Sequence, residues 1–192
     1  MAGPCRDSST MWLSYLALLL KALALIQDIP TLVQETARRY ELKPEIVAAM
    51  VYQESGGNVF AVRYEPRFYH RYVRDRNENT LMGYVPHRVP TLSTEKRLRA
   101  FSFGLLQIMG ETARWPLKFD GPYLTYLLQP EINLDLGCRY LRMKLDDTSK
   151  SLSEQKRYEL ALKGYNGGWH YPKLIFEHVA AGRHQQFLPN RL

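Results

Sequence analysis

The sequence predicts a mainly α-helical protein, on three observations. Apolar residues recur at helical spacing through most of residues 31–181, and no stretch of any length alternates apolar with polar residues as a half-buried strand does. Glycine and proline fall at the ends of the periodic segments, where they act as stops and starts. At 192 residues, with 45% hydrophobic and 23% charged side chains, the chain can bury one core and has an ordinary globular composition. The expected division is an N-terminal apolar segment over residues 1–29 and a single domain over residues 30–192.

The N-terminal segment admits two readings. Residues 11–20 form an apolar run, Lys21 interrupts it, and Ala22-Leu23-Ala24 has the small residues of an export-signal cleavage site. Its leading charge is only Arg6 offset by Asp7, and the run is too short to span a membrane, so an amphipathic first helix packed on the domain fits equally well. Residues 31–40 predict the next helix, with Thr31 as cap and with Arg38 and Arg39 at the end that the helix dipole favours for cations. Pro44 then suits the first position of another helix, and Gly56-Gly57 stops it. On that helix Val47, Met50, Val51 and Glu54 share one face, so a carboxylate ends an apolar stripe.

A long segment with turn signals at Gly83, Pro86 and Pro90 follows, with room for a short helix or hairpin. Apolar periodicity resumes over residues 103–109 and reaches Ala113, before Trp115-Pro116 and Gly121-Pro122 break it. Pro130 opens a helix whose apolar face is Ile132, Leu134, Leu141 and Leu145, with Gly137 allowing close approach of a neighbour. After a polar loop, residues 154–163 predict a helix ending at Gly164. Residues 165–169 predict an irregular loop, and residues 172–181 a last helix opened by Pro172.

The net charge of +7 points to a polyanionic partner: nucleic acid, an anionic membrane surface or a carboxylate-rich bacterial wall. Residues 63–99 hold eight Arg and one Lys against four acidic residues, interleaved with Tyr64, Phe68, Tyr69, Tyr72 and Tyr84. Such a strip suits single-stranded nucleic acid, but it equally describes a solvated face, and no nucleic-acid module accompanies it, so no nucleic-acid partner is expected. Cys138 reads as a buried thiol on a helix and Cys5 as part of a loose tail, so no disulfide is expected. Without Cys/His spacing for zinc, a phosphate loop or a dinucleotide fingerprint, neither a metal nor another cofactor is expected.

Glu54 is the residue with chemistry to offer. An apolar helix face excludes carboxylates unless they are paired, because removing their charge from water costs several kcal/mol. Three local features would raise its pKa: the stripe it continues, the negative C-terminal end of its helix, and the absence of Lys or Arg within four residues. A carboxyl held partly protonated near neutrality is what glycoside cleavage requires of its acid. Taken alone, Glu54 also reads as a solvent-facing residue at a frayed helix end.

Its company gives it meaning. Glu54-Ser55 is followed in order by Gly104-Leu105-Leu106-Gln107-Ile108-Met109, then Pro130-Glu131-Ile132-Asn133 with Gly137 and Tyr140-Leu141, then Gly164-Tyr165-Asn166. This ordered series, with the lead-in at residues 40–44, resembles the soluble lytic transglycosylase family, relatives of goose-type lysozyme, over nearly everything after residue 31. The resemblance implies a lysozyme-like single domain with a glycan-binding cleft, here with a long insertion after the catalytic helix. It implies cleavage of the β-1,4 bond between N-acetylmuramic acid and N-acetylglucosamine in peptidoglycan, by non-hydrolytic transglycosylation that leaves 1,6-anhydromuramyl ends. It places that activity at the bacterial cell wall, in the periplasm or envelope, and we expect a monomer. Glu54 would be the acid/base and Ser55 would fix the end of its helix at the substrate site. Gln107 and Met109 would line the cleft, Tyr165 would position the carboxyl group, and Asn166 would touch an N-acetyl group or the loop that does.

The sequence departs from the family's usual pattern at several points. Arg63 follows Ala61-Val62 where a serine is usual, Leu106 replaces methionine, Gly164 replaces alanine, and fifty positions separate Glu54 from Gly104. The inserted basic segment is expected to form a separable wall or lid that holds acidic peptide stems, leaving a core that folds without residues 68–97. Glu65 is a candidate second carboxylate for a hydrolytic, lysozyme-type reaction, and it also reads as the ion-pair partner of Arg63 or Arg67. A non-catalytic wall-binding protein is the remaining alternative.

Overall fold

A computed structural model describes residues 28–84 and 90–190, so the candidate export segment lies almost wholly outside the described residues. Its helices are α1 (Ile29–Arg39), α2 (Pro44–Ser55), α3 (Pro66–Phe68), α4 (Leu92–Arg99), α5 (Gly110–Arg114), α6 (Pro130–Asp146), α7 (Glu154–Asn166) and α8 (His170–Ala180). A π-helical turn, Tyr69–Val73, continues α3, and two 3₁₀ turns, Leu124–Leu128 and Arg183–Phe187, complete the helical part. No described helix is long and apolar enough to cross a membrane. The mainly helical fold is the one expected from the sequence.

Helix α2 is the centre. Six consecutive residues, Ile46 to Val51, are buried on all sides, because α1, α8 and the Arg183–Phe187 turn pack around it. Its far end is fixed at Lys43, whose backbone N–H donates to the Tyr158 hydroxyl of α7 at 2.8 Å. Gly56 ends the helix at φ 60°, a left-handed cap that glycine adopts without strain.

The structure departs from the expected elements, or specifies them further, at five places. Helix α1 starts at Ile29 and is capped by Asp28, whose carboxylate accepts from the Thr31 N–H at 2.9 Å; Thr31 is not the cap. The stretch expected to resume helical periodicity is a small antiparallel sheet, β1 (Val62–Tyr64), β2 (Phe101–Phe103) and β3 (Ile108–Met109), joined in that order. Strands of two or three residues are too short to show alternation, which is why none was legible. Helix α4 takes up the room left for a short helix or hairpin, at a place the sequence did not specify; Thr91 caps it by accepting from the Thr94 N–H. Helix α7 runs through Gly164 and stops at Gly167, φ 89°, so Tyr165 and Asn166 sit on its last turn and not in a loop. Helix α8 begins at His170, with Pro172 still inside the first turn, where no N–H is required.

The inserted segment is not a separable lid. Glu95 and Arg99 of α4 are fully buried, and the Glu95 carboxylate receives the Arg99 Nε at 3.1 Å and the Arg114 Nε of α5 at 2.7 Å. Glu111 of α5 binds Arg99 at 3.1 Å and reaches back to Arg76 at 2.7 Å. The insertion is thus charge-locked into the domain, and removing residues 68–97 would strip Arg114 of its buried counter-charge and leave Arg99 with Glu111 alone.

Candidate active site

Four of the sequence motifs meet at one loop. Residues 104–107 turn the chain from β2 to β3, with Gly104 at φ 67° and Gln107 at φ 46°. Leu105 and Leu106 are buried, and each backbone group of the loop is held by a different element. The Gly104 N–H donates to the Ala61 carbonyl at 2.7 Å, next to β1. The Leu105 carbonyl accepts the Ser55 hydroxyl of α2 at 3.0 Å. The Leu106 N–H donates to the Asn133 side chain of α6 at 2.8 Å, and the Leu106 carbonyl accepts the Tyr165 hydroxyl of α7 at 2.9 Å. Ser55, Asn133 and Tyr165 are therefore spaced far apart in sequence because they brace one turn.

That turn forms one side of a cleft of about 280 Å³, which Glu54 faces from the end of α2. Gln107, Met109, Tyr165, Asn166 and Glu65 line the same cleft, so six of the seven sequence-predicted site residues come together. Ser55 does not line it: besides bonding Leu105, its hydroxyl accepts from the Gly57 N–H at 3.2 Å, which ties the helix end to the loop. Gln107 uses its side-chain amide internally. Its Nε2 donates to the Ala61 carbonyl at 3.1 Å and the Gly104 carbonyl at 3.0 Å, while its Oε1 accepts the Ser102 hydroxyl at 2.8 Å. These bonds offset the strain of a non-glycine residue in the left-handed region, about 1 kcal/mol.

Glu54 is half-buried. Burial raises its pKa above the ordinary carboxyl value, opposed first by the Tyr171 hydroxyl and then by the positive charge of Arg63. Arg63 was the missing neighbour in the sequence: nine residues away along the chain, it returns on β1 to the cleft. Its Nε donates to Glu65 at 2.5 Å, which makes the ion pair read from the sequence a feature of the cleft itself. Tyr165 makes no direct hydrogen bond to Glu54; its ring stacks on Tyr171 at 6.4 Å between centroids and 10° between planes, and its charge state is coupled to the carboxyl. Burial pushes both phenols well above their usual range, so both remain protonated donors. The Tyr171 hydroxyl is buried and has no partner at regular hydrogen-bond geometry, yet it is near enough to favour the charged form of Glu54.

Sequence reasoning missed Tyr171 and Ser102, and had Phe68 only as part of the insertion expected to wall the cleft, which it lines. Tyr171 lies under the carboxyl only because α8 packs on α2, and Ser102 faces the cleft only because β2 pairs with β1 in the register Arg63 to Ser102. Neither relation leaves a local signal in the chain.

A helical domain whose central helix ends in a half-buried carboxyl, facing a polar cleft beside a three-stranded sheet, has the lysozyme-like architecture. The family model described as the transglycosylase SLT domain matches residues 31–173, 143 of the 192, and the chain belongs to that family. No curated protein and no solved structure matches the chain. Membership makes this a peptidoglycan lytic transglycosylase at the level of the family, acting on glycan strands of the bacterial cell wall.

Proposed function

We propose that the protein cleaves the β-1,4 bond between N-acetylmuramic acid and N-acetylglucosamine, with Glu54 as the single acid/base, and leaves a 1,6-anhydromuramyl end. The observation that carries this reading is the half-buried Glu54 carboxyl, its pKa raised by burial, in a cleft lined by hydrogen-bonding side chains. Protonated Glu54 donates its proton to the glycosidic oxygen, and the bond from that oxygen to the muramyl anomeric carbon breaks. The 6-hydroxyl of the same muramyl ring then attacks that carbon, and the Glu54 carboxylate takes the hydroxyl proton. The enzyme regains its starting state and no water is consumed. Tyr171 and Arg63 favour the carboxylate between the two steps, which keeps the proton from being held too tightly. Gln107 shapes the loop, and Met109 and Asn166 contact the sugars. Residues 30–192 form the catalytic unit, residues 1–29 are its N-terminal appendage, and the protein works as a monomer in the periplasm or envelope.

Glu65 supports a second reading, because it lines the same cleft as Glu54. As a base it would activate water and give a reducing end, at the cost of its pairing with Arg63. Digestion of purified sacculi followed by mass spectrometry decides between them, since the two products differ by one water. We expect anhydro ends and, for Glu54→Gln, a rate at least about a hundredfold lower. Reducing ends that vanish in Glu65→Gln would establish the hydrolytic reaction, and a fully active Glu54→Gln would remove Glu54 from either mechanism.

A further inference from the structure

A second cavity, of about 430 Å³, lies between α7 and α8 and shares no lining residue with the Glu54 cleft. Trp169 stands at its edge with 60% of its surface exposed, although an indole is among the costliest side chains to leave in water. Lys163 lies over the indole, 5.1 Å from the ring centre. Pro172 and Phe176 continue the apolar floor three and seven residues further along α8. The rim is polar: Gln155 and Glu159 project from α7, and Glu177 from α8. Lys173 approaches Glu177 at 3.8 Å and Lys156 holds Glu159 at 2.9 Å, so two carboxylates face three ammonium groups, counting Lys163, and most of the charge cancels.

This balance decides what fits. A polyanion finds a surplus of only one positive charge here, against +7 for the chain as a whole. A partner helix needs a continuous apolar groove, and this floor is a few rings bounded by charges. A pyranose offers what is left: an apolar C–H face for the indole and equatorial hydroxyls for carboxylate and amide acceptors. We propose that the α7–α8 cavity is an accessory glycan site, in which a sugar of the peptidoglycan strand stacks on Trp169 while its hydroxyls bond Gln155, Glu159 and Glu177. This rests on the glycan-cleaving reading of the Glu54 cleft. Its effect is to hold the enzyme on the wall between cuts, which raises the local concentration of strands at the cleft.

The test separates binding from cleavage. On a Glu54→Gln background, binding to insoluble sacculi is measured in high salt, where charge attraction is screened. Adding Trp169→Ala should lower affinity about tenfold or more, Trp169→Phe should restore most of it, and soluble β-1,4-linked N-acetylglucosamine oligomers should compete for the Trp169-dependent part. With Glu54 intact, Trp169→Ala should clear sacculi slowly yet turn over glycans too short to reach both sites at the unmutated rate. Gln155→Ala, an exposed change on the opposite wall, should weaken sacculus binding severalfold without touching the indole. Unchanged sacculus binding in both variants overturns the proposal. So does an equal loss on short and long substrates, which would make Trp169 part of the cleft, or binding that oligosaccharides do not displace, which would assign the cavity to a protein or peptide. Failure of the unmutated protein to cut short glycans would instead sink the cleavage reading, and leaves the binding measurement to stand by itself.

Discussion

Asn133 is completely buried, and its amide joins three pieces of chain: its Oδ1 accepts the Leu106 N–H at 2.8 Å, and its Nδ2 donates to the Phe103 carbonyl at 2.7 Å and the Leu127 carbonyl at 2.8 Å. Gly104 leaves room for it, since a Cβ there would stand 2.6 Å from the Asn133 Nδ2. Asn133→Leu strands one donor and two acceptors, each costing about 1–3 kcal/mol, so urea denaturation should show a loss of roughly 3 kcal/mol or more. Activity should fall along with it, because the braced turn carries Gln107. Glu54 behaves in the opposite way. Its folded-state pKa is raised, so between the unfolded value and the folded value the unfolded chain holds fewer protons, and stability falls as pH rises through that window. Glu54→Gln should therefore melt at a higher temperature than the unmutated protein at neutral pH. The gap should close as pH drops below the ordinary carboxyl value, about 4.3. A melting curve for the variant that is no higher at neutral pH would show that burial does not burden this carboxyl.

At the scale of elements, the inserted stretch matters through α4. Its Arg99 and Glu95, with Arg114 and Glu111 of α5, form a network in which three of the four side chains are at most 2% exposed. A buried ion pair adds little over an apolar pair, but breaking one from a single side costs about 3–5 kcal/mol, because the partner charge is left in a poor solvent. Glu95→Ala leaves Arg114 in that state and Arg99 with Glu111 as its remaining carboxylate. Calorimetry should show a melting temperature lowered by about 6–20 degrees for a domain of this size, whereas Glu95→Ala combined with Arg99→Leu and Arg114→Leu should recover much of the loss. Equal stability of Glu95→Ala and the unmutated chain would mean that the insertion is only draped on the domain. The same network explains why this part of the sequence misleads. Arg99 counts toward a basic, solvent-facing strip until the fold buries it, and only a remainder, such as Arg67, Arg71 and Arg97, is exposed.

Across the whole molecule, the helices were legible because each long one carries its own stripe and its own punctuation: Pro44 and Gly56 frame α2, and Pro130 opens α6. Glu54 stood out as a candidate acid because a carboxylate on an apolar face is a local anomaly and because the ordered motifs accompany it. Tyr171 and Ser102 were not, nor was Arg63 as a neighbour of Glu54, because their places in the site arise from α8 packing on α2 and from β1 pairing with β2. Charge is legible at this scale and no smaller one: the chain carries +7 in total, while the Glu54 cleft holds two carboxylates against one arginine. Attraction to a carboxylate-rich wall is therefore a property of the surface as a whole, and is separate from recognition in the cleft. Such attraction raises encounter rates by about 10–1,000-fold at low salt and is screened as the Debye length shrinks from about 10 Å at 0.1 M to about 3 Å at 1 M. Clearing of dilute sacculi should accordingly slow at least about tenfold across that range. Turnover of short soluble glycans at saturation should barely change, because the cleft's own contacts are partly buried and the encounter no longer limits the rate. If both rates fell together, the salt would be acting on the Arg63–Glu65 pair and on Glu54. A shifted pH profile of the short-glycan reaction at 1 M salt would then reveal it.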